Sequence, residues 1–504
     1  MALPDGWTWE YPLSRGCRGI GNVPVAERGV DTPGPAAPGP HPVVEARRCQ
    51  KVRPTGLSST CAARKAALVQ VPLTGEDRAI LALEGPELVG HTCTVIRLPA
   101  GAPTLEDLRD AVTRRLPDVP RLTWRLAGTA AEPVWSPDEA VDVAAHIGAV
   151  VAAEPLDEAG LRIEVARLFV QHLDRRRPLW RMDLVGPLLG GGAALVWRVH
   201  HALADGTMVM RLAHDVLWDP TPAPAAHQHS SVAVPPRPPS EDSRRRPLAA
   251  VLTGEILPGL RRSPFDARVG RDREVAFAVT ALSGLHDAAR ALAGATVNDA
   301  VLAVVAGALR RWLEHRHGAI HGLRVKVPVT LHHDGDSVGN RDSYFRVDLP
   351  VDEPDLVARL TAIRAETMLR KSHHDAEELD ELMDRMARLS PRLASWSQRL
   401  QRSGRAFALN VSNVRGPEPE VAVLGARVDT VHALAEVAQH HALRIAVTSI
   451  ADRLCVGLVA DPAVIDDLDV LAGAVEQEAA ELLRTGTRFV ESRGRPTVDT
   501  DPGN

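Results

Sequence analysis

Val199-His200-His201-Ala202-Leu203-Ala204-Asp205-Gly206 is the stretch on which the reading of this chain turns. Residues 193–199 form an apolar run with strand character, and residues 206–218 have helical periodicity. The two histidines therefore stand where a strand ends and a helix is about to begin. Neighbouring residues at such a strand edge point in different directions, so one imidazole can face a cleft while the other packs inward. Imidazole suits proton transfer because its ordinary pKa of about 6.5 lies near working pH. Asp205 can cap the helix or hold the loop through a charged partner. Gly206 permits a sharp backbone turn and leaves its N–H approachable. A histidine pair after a strand is, in isolation, more often a packed or surface feature than a catalytic one, and Asp205 as a plain N-cap is compatible with either.

Outward from this point the chain alternates strands and helices. Before it come a strand at 92–98, a helix capped by Thr104 and running to Leu116, and an amphipathic helix at 158–173. A strand at 181–186 then reaches the 193–199 run through Gly190-Gly191-Gly192, which suits a hairpin. After the histidine motif the spacing predicts a strand at 274–280, a helix at 283–292 and an apolar helix opened by Thr296. Strands at 323–330 and 343–349 and helices at 353–371 and 375–389 follow. Strands at 405–412, 426–433, 443–449 and 453–460 and a helix at 464–484 complete the pattern. Both halves mix strands with covering helices, an α/β or α+β layered plan.

The 504 residues exceed one ordinary domain. Residues 1–66, rich in Pro and Gly, read as a disordered or mis-assigned N-terminal extension. Residues 67–218 form a first domain, 219–261 a Pro-rich linker, 262–485 a second domain and 486–504 a flexible tail. A formal charge of -5 argues against a general nucleic-acid binder. Five cysteines without CxxC or Cys/His ligand spacing indicate neither a disulfide framework nor a zinc site, and a cytoplasmic setting is expected. The longest apolar stretch, Ala300 to Leu309, is too short to span a bilayer, so any work on lipids is expected at the inner face of the membrane or a lipid-droplet surface.

The motif HHxxxDG resembles that of the coenzyme A-dependent acyltransferase superfamily, and its flanks resemble the wax ester synthase/diacylglycerol acyltransferase branch. The flanking segments are Leu73-Thr74-Gly75-Glu76-Asp77, Pro178-Leu179-Trp180, Ser263-Pro264-Phe265, Thr296 to Ala303, Gly339-Asn340, Ser412-Asn413-Val414 and Gly457 to Asp461, in the family's order. The resemblance implies two chloramphenicol-acetyltransferase-like domains of mixed sheets covered by helices, with an active-site channel between them. It implies acyl-CoA as co-substrate, no cofactor and no metal, and a lipid alcohol, either diacylglycerol or a fatty alcohol, as acceptor. His201 would be the general base, with His200 and Asp205 completing the motif and orienting its loop. Gly206 and Asn298 are candidates for contact with substrate or oxyanion.

Two departures leave the acceptor open: Arg415 stands where a proline is expected, and His440-His441 replace small polar residues. The pairs His332-His333, His373-His374 and His440-His441 lack the xxxDG continuation and are expected at the surface. The acid-free stretch between Arg385 and Arg415 places Leu389, Leu393, Trp396 and Leu400 on one helical face, beside arginines suited to a membrane surface, to phosphates or simply to solvent. Condensation-type transfer from a carrier protein and a non-catalytic lipid-binding scaffold are the competing readings of the whole chain.

Overall fold

The computed structural model describes residues 70–99, 101–129, 132–220, 263–318, 322–330, 342–372 and 406–494. All belong to the compact unit Ala66–Asn504. The expected extension 1–66, the linker from residue 221 to 261, Gly339-Asn340, the helix 375–389, the arginine-rich face before Arg405, and the pairs His332-His333 and His373-His374 lie outside the described residues.

Two small antiparallel sheets are present: β1 (Val71–Pro72), β3 (Trp124–Gly128) and β4 (Pro133–Pro137) in the order β1-β4-β3, and β12 (Ala422–Val423) paired with β13 (Ala426–Arg427). A five-stranded mixed sheet contains β2 (His91–Leu98), β5 (Ile147–Leu156), β6 (Trp180–Leu188), β7 (Ala193–His200) and β14 (Thr430–Ala435). Its order is β14-β2-β7-β6-β5. The predicted hairpin joins β6 to β7, and all three of its glycines have positive φ. Every residue of β7 is buried, because both faces of this central strand are covered.

The second large sheet holds β8 (Glu274–Ala281), β9 (Leu323–Thr330), β10 (Asp342–Leu349), β11 (Leu409–Val414), β15 (Leu443–Ile450) and β16 (Arg453–Ala460), in the order β10-β9-β11-β15-β16-β8. One face packs on the helices α6 (Leu282–Ala293), α7 (Val297–His317), α8 (Leu356–Ser372) and α9 (Leu468–Gly494) through Val325, Val327, Val411, Ile445 and Val447. The helices of the first half are α1 (Gly75–Leu81), α2 (Leu105–Arg115), α3 (Val143–His146), α4 (Glu158–Phe169) and α5 (Gly206–Val216). The plan is the expected α/β architecture with two sheet-containing halves. No single described helix is long and apolar enough to cross a membrane.

The two halves are tied by one donated strand. β14, from the second half of the chain, runs antiparallel to β2 with Leu434 opposite Cys93, and so completes the first sheet. A shared apolar layer holds Val95, Val196 and Leu434 against Val275 and Val459. Gly457 allows this approach: a Cβ there would stand 2.2 Å from the Ala433 carbonyl oxygen.

Two expectations are corrected. α9 continues to Gly494 instead of yielding to a tail at residue 486, because Gly486 is a packing residue and not a helix stop; its Cβ would stand 2.4 Å from that of Ala288. His441 is buried and stacked on Phe407, with ring centroids 3.9 Å apart, while its neighbour His440 stays at the surface. Sheet closure makes one substitution diagnostic. Gly457→Ala should lower unfolding stability by about 1–3 kcal/mol through overpacking against the backbone of β14, which its pairing with β2 holds in place. An unchanged denaturation midpoint would show that the sheets are not in this contact.

Candidate active site

β7 delivers its last residue, His200, into the interior, where the side chain is 1% exposed. The ring accepts a hydrogen bond at Nδ1 from the Ala202 amide (3.1 Å) and reaches Glu84 Oε2 through Nε2 at 3.3 Å. An accepting Nδ1 requires the proton on Nε2, so the neutral tautomer donates to Glu84. Burial pushes the His200 pKa down, and the Glu84 contact opposes without reversing it. The Glu84 carboxylate also receives His172 Nδ1 at 2.7 Å and Arg175 Nη2 at 2.5 Å. Burial alone would raise this carboxyl, but the bonds from His200, His172 and Arg175 prevail and hold it well below the usual carboxylate range. Gly90 leaves the room this ring needs: a Cβ would stand 2.2 Å from His200 Nε2.

The chain then turns. The His201 amide donates to the Gly90 carbonyl (2.8 Å), which pins the turn to the approach of β2. Asp205 is buried and caps α5, accepting from the Met208 amide at 2.7 Å. Arg121 donates from Nε to the Leu203 carbonyl at 2.6 Å. Burial lowers its pKa, while the charges of Asp77 and Asp205 pull the other way. Asp205 thus has both roles open to it from the sequence, the cap and the partner in a charged cluster.

His201 faces a cavity of about 710 Å³ of empty space, partly open to solvent. Gly206 and Thr207 at the start of α5, Thr92 and Thr94 on β2, and Ser412 and Asn413 on β11 share this lining. Gly206 is required there, since a Cβ would stand 2.9 Å from Val414 Cγ2. Cys93 also lines the cavity, but burial pushes its thiol up to about 12, which keeps it protonated and a poor nucleophile.

His201 and Gly206 are therefore brought together at the cavity, with His200 and Asp205 buried behind them. Asn298 is not among the lining residues; it lies in the first turn of α7, where Thr296 and Asp299 form a capping box. Asn413 of the Ser-Asn-Val segment occupies the cavity instead. Glu84, Gly90, Thr92, Thr94, Arg444 and Thr448 were not singled out from the sequence. All come from distant strands or loops, and nothing local in the chain marks them.

Comparison with known proteins identifies two family domains in the chain. The wax ester synthase/diacylglycerol acyltransferase catalytic domain matches residues 73–261, and the WS/DGAT C-terminal domain matches residues 338–483. A Mycobacterium tuberculosis protein, provisionally named a diacylglycerol O-acyltransferase, is 28% identical over 459 residues, 83% of this chain and 97% of that one. The O-acyltransferase WSD of Acinetobacter baylyi is 26% identical over 434 residues, 77% of this chain and 92% of that one. The solved wax ester synthase/diacylglycerol acyltransferase of Marinobacter aquaeolei superposes with a TM-score of 0.60 at 24% identity, over 83% of this chain and 100% of that one, and shares the fold.

The buried imidazoles set a pH dependence. Burial holds His91, His432 and His441 down to about 3 and lowers His200 as well. Their folded pKa values lie below the unfolded value of about 6.5, so their stability contribution is complete above that pH. It is lost as pH falls, because the unfolded chain takes up protons that the fold excludes. The unfolding midpoint should drop between pH ~7 and pH ~5, and His200→Gln should make the drop shallower while lowering the midpoint at pH ~7. A midpoint flat across that range would contradict neutral burial.

Proposed function

Because the chain belongs to the wax ester synthase/diacylglycerol acyltransferase family, we propose that it transfers a long-chain fatty acyl group from coenzyme A to diacylglycerol or a fatty alcohol, with His201 as general base. The observation that carries the reading is the placement of His201 on the cavity wall, on a turn held by its buried neighbour His200. In this scheme His201 takes the proton from the acceptor hydroxyl as the oxygen attacks the thioester carbonyl. The tetrahedral oxyanion forms near the start of α5, where Gly206 and the positive end of the helix dipole favour negative charge. It then collapses, the carbon–sulfur bond breaks, and His201 returns the proton to the departing thiolate. The products are an ester, wax ester or triacylglycerol, and free coenzyme A.

Direct transfer needs no acyl-enzyme, which agrees with a protonated Cys93 in the cavity. Asp205 acts on position, through the α5 cap, and does not relay charge. Contact with a membrane or lipid droplet remains part of the proposal, since both products are lipids.

A panel of acceptors offered with one radiolabelled palmitoyl-CoA tests the reading. Labelled wax ester with hexadecanol, or labelled triacylglycerol with diacylglycerol, is expected. Label that appears in no ester, under conditions where palmitoyl-CoA binds, would leave the lipid-binding scaffold as the function. Transfer only from a carrier-tethered acyl group would assign the condensation-type reaction.

A further inference from the structure

Residues 84–90 touch both members of the histidine pair. The Glu84 carboxylate meets His200 Nε2 at 3.3 Å, and the Gly90 carbonyl accepts the His201 amide at 2.8 Å. Between these points the chain closes a tight turn, in which Gly85 and Leu88 exchange amide-to-carbonyl bonds of 3.0 and 3.2 Å. Whatever fixes the backbone of residues 87–89 therefore also fixes the carbonyl to which His201 is pinned.

The groups that fix it come from the other half of the chain. Arg273, just before β8, donates from Nη2 to the Glu87 carbonyl at 2.7 Å. Glu436, the residue after β14, accepts the Val89 amide on Oε2 at 3.2 Å. The two side chains are joined to each other, Arg273 Nε donating to Glu436 Oε1 at 2.7 Å. Arg273 Nη1 donates to the carbonyls of Gly270 and Asp272, both at 2.8 Å, and the Val437 amide donates to Glu436 Oε1 at 2.9 Å. All three guanidinium nitrogens are thus engaged, and the Arg273 side chain is 1% exposed against 12% for Glu436. An ion pair at this depth adds little net stability over apolar side chains of the same volume. What its charge-assisted bonds supply is a fixed geometry.

We infer that Arg273 and Glu436 are positioning residues for acyl transfer: by clamping residues 87–89 they place the Gly90 carbonyl, and through it the direction in which His201 leaves the end of β7. The inference rests on the acyl-transfer reading and adds to it the groups that aim its base. Ala433, Leu434 and Ala435, the residues of β14 just before Glu436, line the His201 cavity, whereas Arg273 and Glu436 do not. The strand that forms part of the cavity wall therefore ends in the clamp, so a substrate seated against β14 and the imidazole that must meet it share one frame. The clamp acts by geometry, where a misplacement of about 1 Å can cost about 10²-fold in rate.

The test compares wild type, Glu436→Ala and Glu436→Gln with palmitoyl-CoA and hexadecanol, well below the unfolding midpoint of each protein. Glu436→Ala should lower kcat by about 10–10²-fold while KM for palmitoyl-CoA changes by no more than about twofold. Glu436→Gln keeps an oxygen for the Val89 amide and should recover most of the loss. Arg273→Lys, which offers one nitrogen where Arg273 uses three, should show the same loss in kcat alone and gives the reading if Glu436→Ala fails to fold. An unchanged kcat in the folded variants, or a loss carried by KM alone, overturns the inference. Amide hydrogen exchange reads the link without turnover: residues 84–90 and 200–204 should exchange about tenfold faster in Glu436→Ala and return towards wild type in Glu436→Gln. That result, in a protein that forms no ester with any donor and acceptor, would keep the clamp as the holder of the histidine turn and remove the acyl-transfer reading. Unchanged exchange in both segments would remove the clamp.

Discussion

The hydrogen bonds that hold the His200 ring between the Ala202 amide and the Glu84 carboxylate are the constraint from which the rest of the site follows. A buried imidazole without partners would be costly, and a buried carboxylate without them more so. Here each satisfies the other, with His172 and Arg175 completing the carboxylate's demand. The pairing fixes the end of β7 against Gly90 and makes the next residue leave the interior. His201 reaches the cavity because His200 cannot. Catalytic geometry of this kind is set by groups that never touch substrate.

Much of this plan is legible in the sequence wherever cause and effect lie within a few residues. Thr104, Thr296 and Asp205 cap helices because the side chain and the amide it accepts from are three positions apart, and spacing alone reveals that. The β6–β7 hairpin is equally local, since three glycines can take the positive φ its turn requires. Much of the order of strands and helices follows from periodicity, although β1, β3, β4, β5, α1 and α3 lie outside the elements it predicts, and the family follows from the motif with its flanks.

What was not legible is what the chain brings together from afar. Glu84 meets His200 across 116 positions, and no local pattern marks it as the partner. β14 joins the first sheet although its sequence neighbours build the second, because pairing partners are chosen by tertiary packing and not by order. Gly486 resembles a helix end until Ala288 is found against it. His441 resembles a surface residue until Phe407 covers it. Asn413, from a strand more than two hundred positions beyond the histidine motif, lines the cavity beside His201, and only the fold brings the two together.

The account stands on one proton-transferring ring at the cavity wall, and release of free thiol from palmitoyl-CoA by wild type and His201→Ala, with hexadecanol or diacylglycerol present, tests it most directly. The predicted result is a fall of about 10²–10⁴-fold in the acceptor-dependent rate of the variant, with palmitoyl-CoA binding and the unfolding midpoint retained. Equal rates of thiol release from the two proteins would contradict it.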